Sequence, residues 1–382
     1  MKRVASAVTI TVALLLAAPA SAQTAPTLSA DAAKIDFGQG VTLSGTAPGA
    51  AAGTTVEIRN GVGASIATPT TDAAGAFSAV IEPHGTDTYV AVIGGATSEP
   101  VTVGVRAVLS ARMSPVRLFD RVVVRGTVGP ARPGSSVVVA LTKGRRTVDT
   151  RRVTMGSAGG FRARFTIPDP GTYRAKASFS ASDVLKGSAR SHADTTPLPR
   201  LSSGSAGRFV KLLEARLVEL DYRLVDTKDG RYDFRTADAV VAFHKVQRME
   251  RSFSVREATW RRLADPIKPG AHHDWRGFHF EVDQTKQVLY TVEDGDITNV
   301  LHVSTGAGGA THDGRFRVWG KTAGFSPNHL YYPSYFDGYR ALHGWTEVPT
   351  YAASHGCVRI PYWNAQWVYG LADYGTRVVI YH

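Results

Sequence analysis

Cys357 is the only cysteine of the 382-residue sequence, and it lies in the run Ser354-His355-Gly356-Cys357. A thiol with the free pKa of about 8.5 is only a few per cent thiolate at neutral pH, so a nucleophilic cysteine needs a base or a positive environment. Histidine is the side chain suited to that task near pH 7. These residue types predict a cysteine nucleophile with a histidine base; a buried structural cysteine is the alternative.

Two histidines are available as the base, His343 and His355. His355 stands two residues before Cys357, and on an extended segment such side chains point to one face with their Cβ atoms about 6–7 Å apart. His343, further upstream, can approach from a neighbouring strand with better geometry. We therefore predict that His343 is the general base and that His355 belongs to the loop around the nucleophile.

The glycines beside these residues have physical uses of their own. Gly356 allows the backbone to turn so that the N–H groups of Gly356 and Cys357, with that of His355 as a further candidate, point at a developing oxyanion. Gly344 or a close neighbour offers a carbonyl that accepts from the second ring nitrogen of His343 and fixes its tautomer. The predicted oxyanion loop consists of Ser354, His355 and Gly356.

The N-terminus has the pattern of an export signal. Two basic residues precede an apolar run at 4–18, and the small residues Ala20-Ser21-Ala22 offer a cleavage site. The apolar run is shorter than the roughly 20 residues that a membrane-spanning helix needs. We predict a signal peptide at 1–22, and hence an exported, cell-wall-associated protein with no nucleic-acid partner; an uncleaved anchor is the alternative.

Two consecutive segments repeat one another with a period of about 81–84 residues. Val41–Thr46 reappears as Val122–Thr127, and Gly75–Phe77 reappears as Gly160–Phe161. Short runs alternate apolar and polar residues and are broken by Gly and Pro turns. They resemble bacterial immunoglobulin-like spacer domains in the rhythm of their strands. The predicted tandem β-sandwiches occupy 27–104 and 105–190.

A linker and a helical segment are predicted to follow the repeats. Residues 191–205 are rich in Ser, Thr, Pro and Gly, and residues 206–266 change to a helical hydrophobic period. The third helix of this segment is expected to begin with a capping box formed by Ser254 and Glu257. The sequence predicts a compact bundle of three short helices.

The helical segment resembles the small peptidoglycan-binding domain that is often attached to wall enzymes. It departs from that family at Gly230–Phe234, where a tighter Gly-x-Phe-Gly turn is usual. The resemblance implies binding to the peptidoglycan glycan, while His244 and Trp260 are expected to be packing residues. The matching runs are Val210–Leu213, Leu220–Tyr222, Thr236–Val240 and Phe243.

Residues 270–382 are predicted to form a mainly β domain that is large enough for its own core. The whole chain is therefore expected to be multidomain and mainly β. A single helix is expected near the C-terminus, at Trp363–Ala372. The expected strands are Gly277–Val282, Val288–Val292, Val300–Ser304, Gly314–Val318 and Arg377–Tyr381.

The C-terminal motifs resemble those of the YkuD-type L,D-transpeptidases. The signature is His343-Gly344, a short variable stretch, and then Ser354–Arg359. The chain departs from the family at His312, where proline is usual, and in the short loop between His343 and Ser354. Further matches are Ser304–Gly306, Gly314–Phe316, Tyr331–Pro333, Phe336 and Tyr374–Ile380.

The resemblance implies a β-sandwich catalytic domain that acts on peptidoglycan stem tetrapeptides without a metal or other cofactor. The thiolate of Cys357 attacks the carbonyl of an L-centred diamino acid, releases the terminal D-Ala and passes the acyl group to an amine of a second stem. His343 moves the protons. Arg359 is the candidate to hold a substrate carboxylate, with a structural ion pair as its alternative, and Tyr332 is a further candidate substrate contact.

Three other functions are compatible with the same residues. Water in place of the acceptor amine would give an L,D-carboxypeptidase. A non-catalytic wall-binding protein would use the spacer and helical segments but leave the cysteine motif without a purpose. A zinc site could take three or four ligands from His343, His355, Cys357 and either His302 or His312, although only one thiol is present.

The net charge of +12 is unevenly distributed. Residues 105–196 carry about 17 basic and 5 acidic residues. Outside a cell, a positive surface can adhere to phosphate- or carboxylate-bearing wall polymers. We therefore expect anionic wall polymers as a second partner beside peptidoglycan stem peptides and glycan; a solvated face that aids solubility is the alternative.

Overall fold

The computed structural model describes residues 24–225 and 229–382. The predicted signal peptide at 1–22 lies outside the described residues, so cleavage and export stay predictions. Within the described ranges, no helix is both long enough and apolar enough to cross a bilayer. Strands dominate this part of the chain, which contains four α-helices.

The first repeat is built from two sheets of short strands. The strands are β1 Ser29–Ala30, β2 Lys34–Asp36, β3 Val41–Thr46, β4 Glu57–Arg59, β5 Ser65–Ala67, β6 Ala76–Ile81, β7 Asp87–Ile93, β8 Ala96–Thr97 and β9 Val101–Arg106. One sheet has the order β1-β3-β6, and the other contains β9-β7-β4-β5, with β2 pairing β9 and β8 pairing β7. Leu43, Ile58 and Tyr89 contribute to the core between them.

The second repeat has the same two-sheet arrangement with longer strands. Its strands are β10 Val108–Leu109, β11 Arg112–Met113, β12 Arg121–Gly129, β13 Ser136–Lys143, β14 Arg146–Thr154, β15 Gly160–Thr166, β16 Thr172–Ala181, β17 Val184–Arg190 and β18 Asp194–Thr195. In one sheet β10, β11 and β15 all pair with β12, and the other has the order β14-β13-β16-β17. Val124, Val139 and Phe165 lie in the core between these sheets.

A glycine–phenylalanine pair recurs at the same place in both repeats. Gly45 faces Phe77 across β3 and β6, and Gly126 faces Phe161 across β12 and β15. A Cβ atom at Gly45 would lie 2.0 Å from the Thr27 carbonyl oxygen and 2.7 Å from the Phe77 ring, and one at Gly126 would lie 1.9 Å from the Ser110 carbonyl oxygen and 2.6 Å from the Phe161 ring. Each glycine therefore leaves room for a neighbouring backbone carbonyl and for the opposing ring, which explains why both residues recur.

The two repeats share one continuous sheet. β9 of the first repeat pairs in parallel with β17 of the second through Arg106 and Leu185, and the combined sheet has 11 strands. The predicted boundary at 104–105 falls inside β9. The repeats are thus joined through backbone pairing rather than only by a connecting segment.

Three helices follow, in the segment for which the sequence predicted them. They are α1 Arg208–Glu219, α2 Phe234–Val246 and α3 Glu257–Ala264. The side chain of Asp233 caps α2 by accepting from the N–H groups of Arg235 and Thr236. Leu213, Leu217 and Phe243 are fully buried where α1 and α2 meet the rest of the fold.

The start of α3 differs from the predicted capping box. Arg256 is the N-cap, and its N–H donates to Thr259 Oγ1 at 3.2 Å. The hydroxyl of Ser254 is instead hydrogen bonded to Ser252 Oγ at 2.9 Å. Glu257 is the first helical residue, so it is too early in the helix to act as the acidic member of a Ser254 box.

The predicted linker at 191–205 is packed against its neighbours. Leu201 forms an antiparallel bridge with Val255, and Trp260 Nε1 donates to the Pro199 carbonyl at 2.7 Å. Trp260 is only 1% exposed, as expected for a packing residue. These contacts tie the segment before α1 to the segment around α3.

The C-terminal part has two sheets and one helix. The strands are β19 His279–Asp283, β20 Val288–Glu293, β21 Asp296–His302, β22 Gly314–Arg317, β23 Gly320–Lys321, β24 Tyr331–Asp337, β25 Arg340–Trp345, β26 Val358–Pro361 and β27 Arg377–Tyr381, and the helix is α4 Tyr362–Leu371. The sheet orders are β21-β20-β19-β27-β22 and β23-β24-β25-β26. Phe280, Leu342 and Ile360 lie in a core to which both sheets contribute.

The helical segment covers the opposite face of the five-stranded sheet. Tyr290 and Val300 of that sheet belong to one hydrophobic cluster with Leu213 and Phe243 of the helices. β20 is buried along five of its six residues, because the sheet is covered on both faces. The helical segment therefore shares a core with the C-terminal domain.

A buried lysine of the helical segment forms hydrogen bonds with the C-terminal domain. Lys245 of α2 is 2% exposed, and its Nζ donates to the carbonyls of Gln287 at 2.8 Å and Val303 at 2.9 Å and to His302 Nδ1 at 2.5 Å. His302 Nε2 in turn donates to the Val348 carbonyl at 2.8 Å, which fixes Nδ1 as an acceptor. Burial lowers the pKa of Lys245 well below its usual range. Three acceptors nevertheless match the three protons of an ammonium group, so this geometry favours the charged form.

Replacing Lys245 tests how strongly the helical segment and the C-terminal domain stabilise each other. Lys245→Met keeps the apolar stem but leaves three buried acceptors without their donor, so the free energy of unfolding should fall by about 3 kcal/mol. Chemical denaturation followed by tryptophan fluorescence measures the change. Lys211→Met, at an exposed position on α1, is the control. A loss below about 1 kcal/mol for Lys245→Met would contradict the role given to this group.

Candidate active site

The site is built on the parallel pairing of β25 with β26. In this register Leu342 lies opposite Val358 and His343 lies opposite Arg359. Cys357 directly precedes β26, so its side chain shares a face with Arg359, while Val358 points into the core. The pairing therefore brings His343 and Cys357 to one face as diagonal neighbours on adjacent strands.

His343 is held as a neutral imidazole. It is 3% exposed, and its Nδ1 lies 2.9 Å from the Gly344 carbonyl. Because a carbonyl only accepts, Nδ1 carries the proton and Nε2 keeps a free lone pair. Burial lowers the pKa of His343 to about 4; the Gly344 contact opposes this shift and the Arg359 charge adds to it. At neutral pH this ring can accept a proton.

The Cys357 thiol is partly buried and protonated at rest. Burial raises the pKa of Cys357, while the Ala341 amide and the charges of Arg340 and Arg359 oppose the rise. Sγ lies 3.8 Å from the Tyr339 carbonyl, within range of a weak S–H donor. The thiol therefore depends on a base to become nucleophilic.

The loop before Cys357 is closed by Ser354. Its Oγ donates to the Cys357 carbonyl at 2.5 Å and accepts from the Gly356 N–H at 3.1 Å. The Gly356 N–H is thus engaged inside the loop, contrary to the expectation that it points at an oxyanion. The N–H groups of His355 and Cys357 are the remaining candidates for that role. The side chain of His355 is exposed.

Gly356 could not be replaced without moving its neighbours. Its φ is +134°, and a Cβ atom would lie 2.9 Å from both the Ala310 carbonyl oxygen and Arg340 Nε. Thr311 Oγ1 donates to the Gly356 carbonyl at 2.8 Å and accepts from the Gly306 N–H at 2.7 Å. The short turn at Ala307–Gly309 and its flanks therefore support the loop from one side.

Arg359 and Trp345 form the wall beside His343. The Arg359 guanidinium lies 5.3 Å from the centre of the Trp345 ring, and that ring meets the imidazole edge-on at 5.6 Å. Arg359 forms no ion pair within residues 24–225 and 229–382. Its charge is therefore not neutralised by a carboxylate of the described residues. A structural ion pair was the alternative to substrate binding.

Tyr332 lies on β24, which β25 separates from β26. Its φ of +48° is unusual for a residue with a side chain, and its N–H donates to the Gly324 carbonyl at 2.7 Å. Its ring packs edge-on against Tyr331 and Tyr369. Tyr332 is thus placed against α4, and its part in substrate binding stays a prediction.

Comparison with known protein families decides the identity of this domain. The YkuD family, the L,D-transpeptidase catalytic domain, matches residues 277–380. These residues form an L,D-transpeptidase catalytic domain. The match contains every strand from β19 to β26, α4 and nearly all of β27.

Solved structures and curated proteins give a second comparison. An L,D-transpeptidase from Xylanimonas cellulosilytica is 32% identical, with a TM-score of 0.46 over 48% of this chain and 99% of that one. One from Stackebrandtia nassauensis is 28% identical, with a TM-score of 0.31 over 49% and 97%. The catalytic domain of an E. faecium L,D-transpeptidase is 23% identical, with a TM-score of 0.25 over 29% and 100%. No curated protein gives a significant match.

Arg340 and Asp337 of the L,D-transpeptidase domain were missed by sequence reasoning, as was the contact of His312 with Asp337. Arg340 donates to the Ala310 carbonyl at 2.7 Å and to Asp337 at 3.2 Å, and His312 lies 2.9 Å from the same carboxylate. Arg340 also opposes the rise in the pKa of Cys357. His312 was noted as a departure from the family and as a candidate zinc ligand, and nothing in its local sequence pointed to Asp337.

The geometry does not assemble the zinc site considered from the sequence. His302 uses both ring nitrogens, with Lys245 and Val348, and His312 pairs with Asp337. Among the described residues, no group of three or more His, Cys, Asp or Glu side chains could hold a metal ion. The candidate ligands are spread over separate hydrogen-bond networks.

Two histidine variants should separate the predicted roles in the L,D-transpeptidase domain. His343→Ala should lower turnover about 10²- to 10⁴-fold and slow alkylation of Cys357 near neutral pH, because the thiol loses its base. His355→Ala, the control on the loop, should retain rapid alkylation. Iodoacetamide labelling followed by mass spectrometry measures both. If alkylation collapses only in His355→Ala, the two roles must be exchanged.

The acid limb of the pH–rate profile should also lie at lower pH than an unperturbed histidine would give. The imidazole of His343 accepts the thiol proton only while neutral, and its pKa is lowered to about 4. As pH falls, kcat/KM should stay level through pH 6.5 and decline only as the pH approaches about 4. A decline centred near pH 6.5, the value of an unperturbed histidine, would contradict the burial argument.

Proposed function

We propose that the chain is an exported peptidoglycan L,D-transpeptidase that cross-links stem peptides through a cysteinyl thioester. The observation that carries this proposal is the His343 imidazole, which has its tautomer fixed by the Gly344 carbonyl and lies beside Cys357 in an L,D-transpeptidase domain. The signal-like sequence at 1–22 supports the extracytoplasmic, wall-associated location.

The first half-reaction forms the acyl-enzyme. His343 Nε2 takes the thiol proton, and Sγ of Cys357 attacks the carbonyl carbon of the L-centred diamino acid in the donor stem. The N–H groups of His355 and Cys357 stabilise the oxyanion. The carbon–nitrogen bond to the terminal D-Ala then breaks, and the leaving amine takes the proton from His343. Arg359 holds a substrate carboxylate.

The second half-reaction transfers the acyl group. The side-chain amine of an acceptor stem attacks the thioester carbonyl, and His343 receives its proton. The carbon–sulfur bond breaks, and the proton returns to Cys357. Water as acceptor would give the L,D-carboxypeptidase reaction through the same thioester.

In this proposal the other segments position the enzyme on the cell wall. We infer that the two repeats are immunoglobulin-like spacers, since each has two β-sheets around a core. The helical segment is assigned to glycan contact by its family resemblance. Its core is shared with the catalytic sheet, so in this proposal it presents glycan at a fixed orientation to the active site.

Removal of the thiol should abolish cross-linking. Cys357→Ala should form less than a few per cent of the wild-type product, because no other cysteine exists to replace it. Mass spectrometry of muropeptides after incubation with tetrapeptide-rich peptidoglycan measures cross-linked and hydrolysed stems. An unchanged thermal unfolding transition serves as the control for folding. Tripeptide stems without cross-links would favour the carboxypeptidase, and residual cross-linking in Cys357→Ala would exclude Cys357 as nucleophile.

A further inference from the structure

One solvent face of the second repeat carries a row of arginines across three strands. Arg112 of β11 lies directly opposite Arg125 of β12, and Arg125 lies directly opposite Arg162 of β15. Directly paired residues point to the same face of a sheet, and all three side chains are exposed. With strands about 4.8 Å apart, the row spans roughly 10 Å.

Two further arginines extend the row into a patch. Arg164 follows Arg162 by two residues on β15, and Arg121 precedes Arg125 by four residues on β12. Even spacing along a strand keeps both on the solvent face, and both are exposed. We call these five residues the arginine face.

The arginine face is not neutralised by the protein itself. Within the described ranges, none of its five guanidinium groups forms an ion pair with a carboxylate. Repulsion from the positive charges of Arg164 and Arg125 lowers the pKa of Arg162. Like charges directly opposite one another destabilise a sheet, so the free protein carries an electrostatic cost at this face.

A basic surface that merely aids solubility does not require this arrangement. The outer face of the other sheet of the repeat carries exposed Arg152, Arg174 and Lys176. On that face Lys176 lies opposite Arg190 on one side and Ala140 on the other, and Arg152 lies opposite Val138, so directly opposed charges reach across two strands there and not three. The contrast indicates that the arginine face concentrates charge in a line.

We propose that the arginine face binds a linear polyanion with regularly spaced phosphodiester groups. A guanidinium offers a planar fork that matches two phosphate oxygens, and several in a row can engage successive phosphates of one chain. Hydroxyl groups border the row: Ser110 and Thr127 lie at its edge and are hydrogen bonded to each other at 2.9 Å. For a wall-located enzyme, such a polymer would retain the chain beside its substrate.

The test compares two variants with the same change in net charge. The face variant is Arg112→Thr, Arg125→Thr and Arg162→Thr, and the control variant is Arg152→Thr, Arg174→Thr and Lys176→Thr. Binding to purified poly(glycerol phosphate) is measured by sedimentation at several salt concentrations, with the full chain. The assay needs no turnover, so its failure is distinguishable from failure of the proposed enzyme activity.

The proposal predicts a large and local effect. The face variant should lose at least tenfold in affinity at about 0.1 M salt, and the dependence of log affinity on log salt should become shallower by about two to three charges. The control variant should change by less than about threefold, since none of its three replaced charges lies directly opposite another. Thermal unfolding of the face variant should occur at the same or a higher temperature at low salt, because repulsion is removed.

Four outcomes would overturn the proposal. Equal losses in both variants would show that only net charge matters. Unchanged binding in the face variant would show that the face is not used. Tighter, face-dependent binding to phosphatidylglycerol vesicles than to the polymer would assign the face to a membrane surface instead. Weaker binding to polyglutamate than to poly(glycerol phosphate) is expected, and the reverse order would exclude phosphate recognition.

Discussion

The parallel pairing of β25 with β26 is the constraint on which the proposed catalytic arrangement depends. It sets His343 opposite Arg359 and thereby places the imidazole diagonally from Cys357. Side-chain alternation keeps Leu342 and Val358 in the core while the reactive groups stay on the other face. A shift of one residue in this register would turn His343 into the core and leave the thiol without a base.

The surrounding structure serves mainly to hold that register and the loop that follows it. Gly344 has no room for a side chain, because a Cβ atom would lie 2.6 Å from that of Ala365 on α4. The Thr305 carbonyl accepts from the Ser354 N–H at 3.0 Å, and Gln287 binds the Thr305 hydroxyl at 2.6 Å. Lys245 donates to the Gln287 carbonyl in turn, so α2 supports the loop before Cys357 through a chain of hydrogen bonds.

The sequence was informative where local pattern decides the structure. All three helices of the helical segment and the strands β19, β20, β22 and β27 lie where periodicity predicted them. The strands β24, β25 and β26 were not predicted, because they are short, contain Gly, Pro and polar residues, and in β24 are interrupted by bulges. The partnerships of Lys245 with His302 and of Arg340 with Asp337 were not predicted either, since each depends on tertiary packing. The motif around Cys357 could be recognised because its residues are contiguous.

The most direct test of the central claim is intact-protein mass spectrometry after brief mixing with a stem tetrapeptide. The account predicts a wild-type adduct on Cys357 whose mass equals the tetrapeptide minus its terminal alanine, since thioester formation expels D-Ala. The same adduct should be absent from Cys357→Ala and strongly reduced in His343→Ala. An adduct on another residue, an adduct with the mass of the whole tetrapeptide, or a full yield without His343 would contradict the cysteine–histidine mechanism.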